Sequence, residues 1–404
     1  MACPNSPNVI NEGKRADAAT RSAPGRTLDD VFRARLRPLF AAAALAAGLT
    51  GCASSAPQAG FEVTPAQWSA GVARRGADPA DVPNPMAVTP AMAAAARDVG
   101  GTGRDEDRLG RLRDVILNGR DYTFEYERGS TFSAADAFTN RRGNCVSFTN
   151  LFIALGRSLG IRLQAALVSS RGTSEREGNL IVTYNHMVAV YALSGAPSVR
   201  VFDFYGTQVE PGGRLTFLDD WAVAAIRASN DGIALLGRGE TERAVHDLEV
   251  AVKLAPKLCS LQANLALARW RAGDVAGAFA TIERGLAAEP GCPSLLQNLA
   301  ALYVEQGKAE EARVAMAALD VRHASPFALI VRGDLELRSG DPKSAIRNYR
   351  RAASLDPKLA DPWLSIARAE LSRGRPEAAR KAAKKALDRD PSSEVARRMA
   401  EAEP

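Results

Sequence analysis

The sequence Arg-Arg-Gly-Asn-Cys-Val-Ser-Phe-Thr-Asn-Leu-Phe-Ile-Ala-Leu-Gly-Arg-Ser-Leu-Gly-Ile runs from Arg141 to Ile161 and decides how the first half of the chain folds. Its apolar side chains follow the helical period from Phe148 to Leu159, which predicts a helix that begins at about Cys145 and packs one face inward. Gly160 then ends this helix. Backbone N–H groups without helical partners and the positive end of the helix dipole favour the reactive thiolate at such a position. Cys145 is therefore a candidate nucleophile.

Two β-rich segments follow and carry partners for this thiol. They span 184–191 and 199–204, and a turn-forming cluster of Ser, Gly, Ala and Pro lies between them. If the segments close as a hairpin, His186 lies nearly opposite Asp203 on the same side of the ladder, with Cβ atoms about 5 Å apart. The aspartate would then hold one imidazole nitrogen and leave the other to deprotonate Cys145. This arrangement predicts a nucleophile, a base and an orienting acid.

At these residues the chain resembles the transglutaminase-like superfamily, whose core is papain-like: a cysteine-bearing helix packs on a sheet that carries the other two groups. The resembling segment runs from Phe124 to Phe204. The resemblance implies an α+β papain-like, transglutaminase-like domain with Cys145 as nucleophile, His186 as base and Asp203 as orienting acid. Val146 stands where cross-linking transglutaminases usually carry an aromatic residue, so hydrolysis is expected rather than cross-linking.

Other interpretations of these residues stay open. A lone cysteine is usually a buried small hydrophobe, but His186 is the only one of three histidines before the repeat region, which favours catalysis. A metal site made by the three catalytic candidates is disfavoured, because a structural zinc site takes four ligands at clustered spacings. A second group must donate to the oxyanion beside the Cys145 backbone N–H, and its candidates are Asn144, Tyr122 and Tyr126.

An export signal is predicted near the N-terminus. The basic segment Val31–Arg37 precedes the apolar run Leu39–Leu49. We expect translation to start near Val31, where the basic segment begins. This run is too short for a membrane span, which needs about 20 apolar residues. The ending Leu49-Thr50-Gly51-Cys52 is similar to the lipobox of bacterial lipoproteins, which implies acylation of Cys52. Ala53, in place of an aspartate, then implies the outer membrane, facing the periplasm. An ordinary signal peptide with a chance cysteine is the alternative.

The chain divides into four parts. With 404 residues and 46% hydrophobic content, it is long enough for more than one packed core. We predict a leader and lipoprotein signal peptide over 1–52, a flexible tether over 53–88, a transglutaminase-like domain over 89–220 and an all-α array over 225–404. Within the domain, the polar stretch 169–179 is expected to be a solvated loop, with a flap over the thiol as the alternative.

The second half repeats with a period of 34 residues. Glycines at 239, 273, 307, 340 and 374 are spaced 34, 34, 33 and 34 apart, and small residues at 232, 266, 300, 333 and 367 keep the same steps. This period, with two helices per unit and small residues where helices touch, resembles the tetratricopeptide repeat. About five units between 225 and 391 would stack into an all-α tetratricopeptide-repeat solenoid with a concave groove. In the resembled family such grooves commonly hold an extended peptide or a partner's helix.

Cysteine usage agrees with export. Cys3 lies in the leader, Cys52 is the lipidation candidate and Cys145 the candidate nucleophile. The other two, Cys259 and Cys292, occupy nearly equivalent positions in adjacent repeats. A disulfide between them is possible in an oxidising periplasm, and two separate buried thiols are an equal alternative.

Two hypotheses for function remain. The first is an envelope thiol hydrolase or acyl transferase that acts on an amide bond of a peptide or protein, with repeats that select the substrate or bind a protein partner. The second is a lipid-anchored, non-catalytic scaffold that acts through its repeats. Neither requires a metal or an organic cofactor. The net charge of +6 is modest and spread out, without a basic stripe interleaved with aromatics, so no nucleic-acid partner is indicated. The complete set of Cys145, His186 and Asp203 favours the enzyme.

Overall fold

The computed structural model describes residues 63–118, 124–127, 129–168, 173–177, 180–184, 186–192, 199–204, 215–319 and 325–401. The predicted signal sequence, the lipidation candidate Cys52 and the oxyanion candidate Tyr122 lie outside these residues. Within them, no helix combines the length and the apolar character that crossing a membrane requires.

The described residues form an α+β part followed by a helical array. The helices are α1 (Pro65–Arg74), α2 (Pro90–Gly100), α3 (Asp105–Asn118), α4 (Ala134–Asn140), α5 (Cys145–Ser158), α6 (Asp220–Gly237), α7 (Thr241–Leu254), α8 (Cys259–Arg271), α9 (Val275–Ala288), α10 (Pro293–Glu305), α11 (Ala309–Ala317), α12 (Pro326–Arg338), α13 (Pro342–Leu355), α14 (Asp361–Ser372), α15 (Pro376–Leu387) and α16 (Glu394–Glu401). The strands are β1 (Glu125–Tyr126), β2 (Arg142–Gly143), β3 (Leu163–Val168), β4 (Thr173–Glu177), β5 (Leu180–Tyr184), β6 (Met187–Ala192), β7 (Val199–Phe202) and β8 (Leu215–Leu218).

A four-stranded antiparallel sheet in the order β7-β6-β3-β8 supports helix α5. The helix lies against β3 and β6, and its Leu151 and Phe152 are fully buried in one core with Leu163 of β3 and Ala189 of β6. Burying each large apolar side chain in this way contributes about 1.5–3 kcal/mol. The predicted α+β arrangement, a helix that starts at the cysteine and packs on a sheet, is confirmed.

The structure corrects the predicted tether for residues 63–88, because α1 lies inside that range. Thr64 starts α1 with a capping box. Trp68 stacks on Trp221 of α6 with ring centroids 5.9 Å apart, and its indole N–H donates to the Val82 carbonyl at 2.7 Å. The low apolar content concealed this helix, since its burial depends on a tryptophan whose partner lies far along the chain.

Five helix pairs, from α6/α7 to α14/α15, form the repeat array, and α16 packs against α15. The first pair starts at Asp220, slightly before the predicted boundary at 225. The periodic glycines end the first helix of each unit with φ between 67° and 82°, a left-handed conformation that suits glycine. Gly333 also allows close helix contact, because an added Cβ would lie 2.3 Å from the Tyr349 side chain. The predicted repeats are confirmed.

Residues 173–177 and 180–184 form an antiparallel hairpin, β4–β5. The described part of the stretch 169–179 is therefore a strand, instead of the expected solvated loop. Strand β5 packs against α8 and α10 of the array, and its Val182 is buried among their apolar side chains. Sequence periodicity could not indicate this, because the partners of β5 lie about a hundred residues further along.

Cys259 and Cys292 form a disulfide. Cys259 is the first residue of α8 and Cys292 caps α10, so the bond joins the starts of the first helices of two neighbouring units. Of the two alternatives that the sequence left open, the structure has the disulfide. Cys145 is the free cysteine among the described residues.

Candidate active site

Cys145 is the first residue of helix α5 and is partly accessible to solvent. Asn144 caps the helix: its Oδ1 accepts from the Ser147 backbone N–H at 3.1 Å, and the Ser147 hydroxyl accepts from the Asn144 N–H at 3.3 Å. The same hydroxyl accepts from the Phe132 N–H at 2.8 Å. These bonds fix the first turn of α5, where backbone N–H groups have no partner within the helix and favour negative charge on the sulfur.

Asn144 is engaged as the helix cap. Its Oδ1 accepts from Ser147, and its Nδ2 donates to the Thr131 hydroxyl at 2.7 Å. Tyr126 is 39% exposed, with its ring centroid 6.4 Å from that of Phe148. The side-chain donor to the oxyanion stays a prediction, and the third candidate, Tyr122, lies outside the described residues.

His186 and Asp203 lie together beside the start of α5. The imidazole Nε2 is 3.0 Å from Asp203 Oδ2, and both side chains are 7% exposed. Because Nε2 faces the carboxylate, Nδ1 is the nitrogen left for Cys145, with which His186 shares a hydrogen bond. The structure thus brings all three predicted catalytic candidates together.

The register of the hairpin differs from the predicted one by two residues. Tyr191 of β6 pairs with Arg200 of β7, whereas the predicted register pairs it with Ser198. His186 and Asp203 are therefore diagonal instead of opposite neighbours. A shift of two residues preserves the face to which a side chain points, and diagonal neighbours remain within reach of long side chains. Because the register differs by an even number of residues, His186 and Asp203 still point to the same face of the sheet and come together.

The pKa of His186 reflects a balance of opposed effects. Burial by itself lowers this pKa, but the hydrogen bonds to Asp203 and to Cys145, with the negative charge of both partners, outweigh it. The pKa rises from its ordinary value of 6.5 to about 9. At neutral pH the imidazole is therefore a cation that lies between Asp203 and Cys145.

Two backbone contacts that the sequence did not reveal hold His186 in place. The hydroxyl of Thr149, one turn after Cys145 on α5, donates to the Met187 carbonyl at 3.2 Å. The Val168 N–H of β3 donates to the His186 carbonyl at 3.1 Å. A threonine four residues after the cysteine lies on the same helix face, which was the one available signal for its role.

The site has the parts that nucleophilic catalysis requires. A thiol at a helix start, an imidazolium beside it and a carboxylate that orients the ring can attack a carbonyl and protonate the departing group. Ring contacts fix the backbone on both sides of Asp203. Phe152 of α5 packs against Phe202 and Phe204, with ring centroids 4.7 and 5.2 Å from its own.

Comparison with known families agrees with this architecture. A profile of the transglutaminase-like superfamily matches residues 93–197, and two tetratricopeptide-repeat profiles match residues 269–326 and 330–394. The chain carries a transglutaminase-like domain followed by tetratricopeptide repeats. The first match includes Cys145 and His186 and ends before Asp203.

Solved structures with similarity to the chain are tetratricopeptide-repeat proteins. A thermophilic protein of this class from Thermus thermophilus is 21% identical, with 44% of this chain and 97% of that chain covered and a TM-score of 0.40. PilF from Pseudomonas aeruginosa is 18% identical, with 45% and 83% covered and a TM-score of 0.38. A search of curated proteins gave no match.

Proposed function

We propose that this chain, a transglutaminase-like domain followed by tetratricopeptide repeats, is a cysteine hydrolase that cleaves an amide bond in a peptide or protein. The observation that carries the proposal is the position of His186, whose Nε2 lies 3.0 Å from Asp203 Oδ2 and whose pKa is raised by Asp203 and by Cys145 at the start of α5. An inert buried cysteine would need neither a charged imidazole nor an oriented carboxylate.

The reaction has two halves. The Cys145 thiolate attacks the carbonyl carbon and forms a C–S bond; when the tetrahedral intermediate collapses, the C–N bond breaks and the His186 proton passes to the leaving amine. Neutral His186 then takes a proton from water as its oxygen attacks the thioester. The C–S bond breaks, and its electron pair returns to Cys145. Asp203 keeps the ring oriented throughout, and the Cys145 N–H holds the oxyanion.

We propose hydrolysis over cross-linking because of the residue that follows the cysteine. Val146 follows the cysteine, where cross-linking transglutaminases usually carry an aromatic residue, and it is buried against the core instead of lining the approach to the thiol. Transfer to an amine in place of water remains the competing outcome, because a thioester can react with either acceptor. The experiment below distinguishes the two.

The repeats are proposed to bind a protein partner or the substrate itself. A cavity of about 200 Å³ opens between the first helices of the third, fourth and fifth units, α10, α12 and α14. It combines apolar and charged side chains, which suits a peptide with mixed composition. The lining residues are Ala301, Val304, Glu305, Val331, Asp334, Leu337, Arg338 and Arg368.

The location proposed for this enzyme is the periplasmic face of the outer membrane. The support is the sequence alone: the basic segment, the short apolar run and the lipobox-like ending at Cys52. The disulfide between Cys259 and Cys292 suits an oxidising compartment of this kind. Metabolic labelling of the expressed chain with a radioactive fatty acid, lost in C52A, is the measurement that checks it.

Trapping of the acyl-enzyme tests the proposed chemistry. The chain from Ala53 onward is mixed with p-nitrophenyl acetate, and intact-mass spectrometry follows the acetyl adduct with time. We expect an adduct on Cys145 that forms and then disappears, no adduct at this site in C145A, and a loss of about 10²–10⁴-fold in turnover in H186A. Adding a primary amine shows whether transfer competes with hydrolysis.

A chain that forms no adduct, or whose adduct forms at the same rate without His186, contradicts catalysis. The non-catalytic scaffold would then account better for the repeats. In that case C145A should retain every binding property of the wild-type chain, since a scaffold does not use the thiol.

A further inference from the structure

Strand β5 lies in the repeat array and not in the sheet of the thiol domain. It packs against α8 and α10, the first helices of the second and third units. At its centre, Val182 is 1% exposed and belongs to one hydrophobic cluster with Ala263 of α8 and Leu299 of α10. The thiol domain therefore packs one of its own strands across the first helices of two neighbouring repeats.

This strand leads directly to the candidate base. Only Asn185 separates Tyr184, the last residue of β5, from His186. After His186 the chain is held by the thiol domain, since the hydroxyl of Thr149 on α5 donates to the Met187 carbonyl at 3.2 Å. The imidazole thus sits on a short link whose near end is fixed by the repeats and whose far end is fixed by the helix of Cys145.

The array also reaches the cysteine side of the site. Asn230 of α6, in the first unit, donates its Nδ2 to the Thr131 hydroxyl at 3.1 Å. The same hydroxyl accepts from Nδ2 of Asn144, the residue that caps the helix of Cys145, at 2.7 Å. The side of the site that carries Cys145 is therefore linked to α6 of the first unit. The side that carries His186 is linked through β5 to α8 and α10, in the second and third units.

We propose that the first three repeat units form part of the framework of the active site, and that Val182 is a positioning residue that sets where His186 lies relative to Cys145. The inference rests on the proposed function and adds to it a role for the repeats inside the reaction. A misplacement of about 1 Å in a catalytic group costs about 10²-fold in rate. Loosening of β5 in its groove is thus expected to reduce thiol reactivity without contact with the thiol.

The inference further restricts where a partner can bind. β5 covers the surface that α8 and α10 would otherwise offer, so an incoming peptide has the cavity between α10, α12 and α14 available. A peptide that bound on α8 and α10 would have to displace the strand that leads to His186.

Thiol labelling across pH tests the proposal in the chain from Ala53 to the C-terminus. Iodoacetamide modification of Cys145 at about pH 6 is followed by peptide mass spectrometry in wild type, V182A, V182I and I346A. Ile346 is the control: it is buried to a similar degree in α13 of the fourth unit, but in a separate cluster with Phe327 and Ile366. We expect V182A to label about 10- to 100-fold more slowly, V182I to restore the rate, and I346A to match wild type.

A second measurement separates positioning from general loosening. The histidine ring signals in NMR should give His186 a pKa of about 9 in wild type and I346A, and a pKa closer to the ordinary 6.5 in V182A. Wild-type labelling and titration in V182A, or equal losses in V182A and I346A, would overturn the inference. If wild-type Cys145 labels no faster than in the urea-unfolded chain, the proposed function fails and the inference fails with it.

Discussion

Among single residues, the charge on His186 has the largest consequence for the chemistry. With a pKa of about 9, the imidazole already holds its proton at neutral pH. His186 therefore enters the reaction first as an acid that donates to the leaving group. This refines the expectation from sequence, in which His186 deprotonates the thiol during attack.

A fall in activity on the alkaline side is the first prediction. As pH rises through about 9, His186 loses the proton that it must give to the leaving group, so the rate of acyl-enzyme formation should decline. The hydrogen bond to Asp203 raises this pKa, so D203N should move the decline toward 6.5 and lower the maximal rate by about 10²-fold. The measurement is the pH profile of amide or ester turnover, with buffer blanks. Superimposable profiles for wild type and D203N would contradict the assignment of Asp203.

The residues of the site could be predicted from sequence, whereas their relative placement could be predicted only in part. Scarcity of histidine and the order of Cys145, His186 and Asp203 identified the set. The register was wrong by two residues, because the length of a turn does not by itself determine how its strands pair. The contacts of Thr149 and Thr131 depend on tertiary packing, and the only sequence signal for either was the position of Thr149 four residues after Cys145.

Asn150 supplies a second prediction at this scale. It is fully buried on α5, and neither amide atom has a hydrogen-bond partner among the described residues. A buried unsatisfied polar group costs about 1–3 kcal/mol, so N150L should raise the free energy of unfolding by an amount of this order. N298L is the control, because Asn298 is equally buried but donates to the Ala263 carbonyl at 3.3 Å. Thermal unfolding should show opposite shifts, and a destabilised N150L would contradict the argument.

Among the elements, helix α5 is the one whose placement matters most. Its C-terminal end is fixed by Arg157, which binds Asp220 at the start of α6 through two bonds of 2.7 and 3.0 Å. Both side chains are largely buried, and Arg157 also donates to the Leu163 carbonyl. This ion pair ties the cysteine helix to the first repeat helix.

Loss of this pair should be costly. D220A leaves a buried guanidinium without its anion, which is expected to cost about 3–5 kcal/mol of stability. E106A is the matched control: Glu106 pairs with Arg200 at 3.3 Å, but both side chains are more than two-fifths exposed, and such a pair contributes less than about 1 kcal/mol. Urea unfolding of both variants makes the comparison. Equal, small effects would show that the Arg157 pair lacks the stabilising role assigned to it.

The elements that sequence analysis missed share one physical cause. Helix α5 and the repeat helices bury local periodic patterns, and their positions were predicted. Helix α1 and strand β5 depend on partners far along the chain, Trp221 for the first and α8 with α10 for the second. No window of sequence contains both halves of such a contact.

In the whole molecule, the thiol domain and the first repeats share one core. Val223 and Ile226 of α6 are fully buried in the same hydrophobic cluster as Phe152 and Leu163. The predicted boundary near 220–225 is therefore a change of architecture and not a flexible joint. This shared core is the setting in which the repeats can influence the site.

The disulfide between Cys259 and Cys292 gives a prediction for the whole molecule. It closes a loop with a sequence separation of 33 residues, and such bonds typically contribute about 2–4 kcal/mol, chiefly by restricting the unfolded chain. The double variant C259S/C292S should lower the midpoint of thermal unfolding accordingly. Dithiothreitol should lower it for wild type and leave it unchanged for the variant. A midpoint insensitive to both changes would mean that the bond does not form in the purified protein.

The central claim is that Cys145 and His186 form a reactive pair, and its most direct test is the rate of Cys145 alkylation at about pH 6. An ordinary thiol, with a pKa of about 8.5, is almost wholly protonated at this pH and reacts very slowly. The account predicts that Cys145 of the folded chain reacts at least about tenfold faster than in the urea-unfolded chain, and that H186A abolishes the difference. Equal rates in the folded, unfolded and H186A chains would mean that no thiolate–imidazolium pair is assembled.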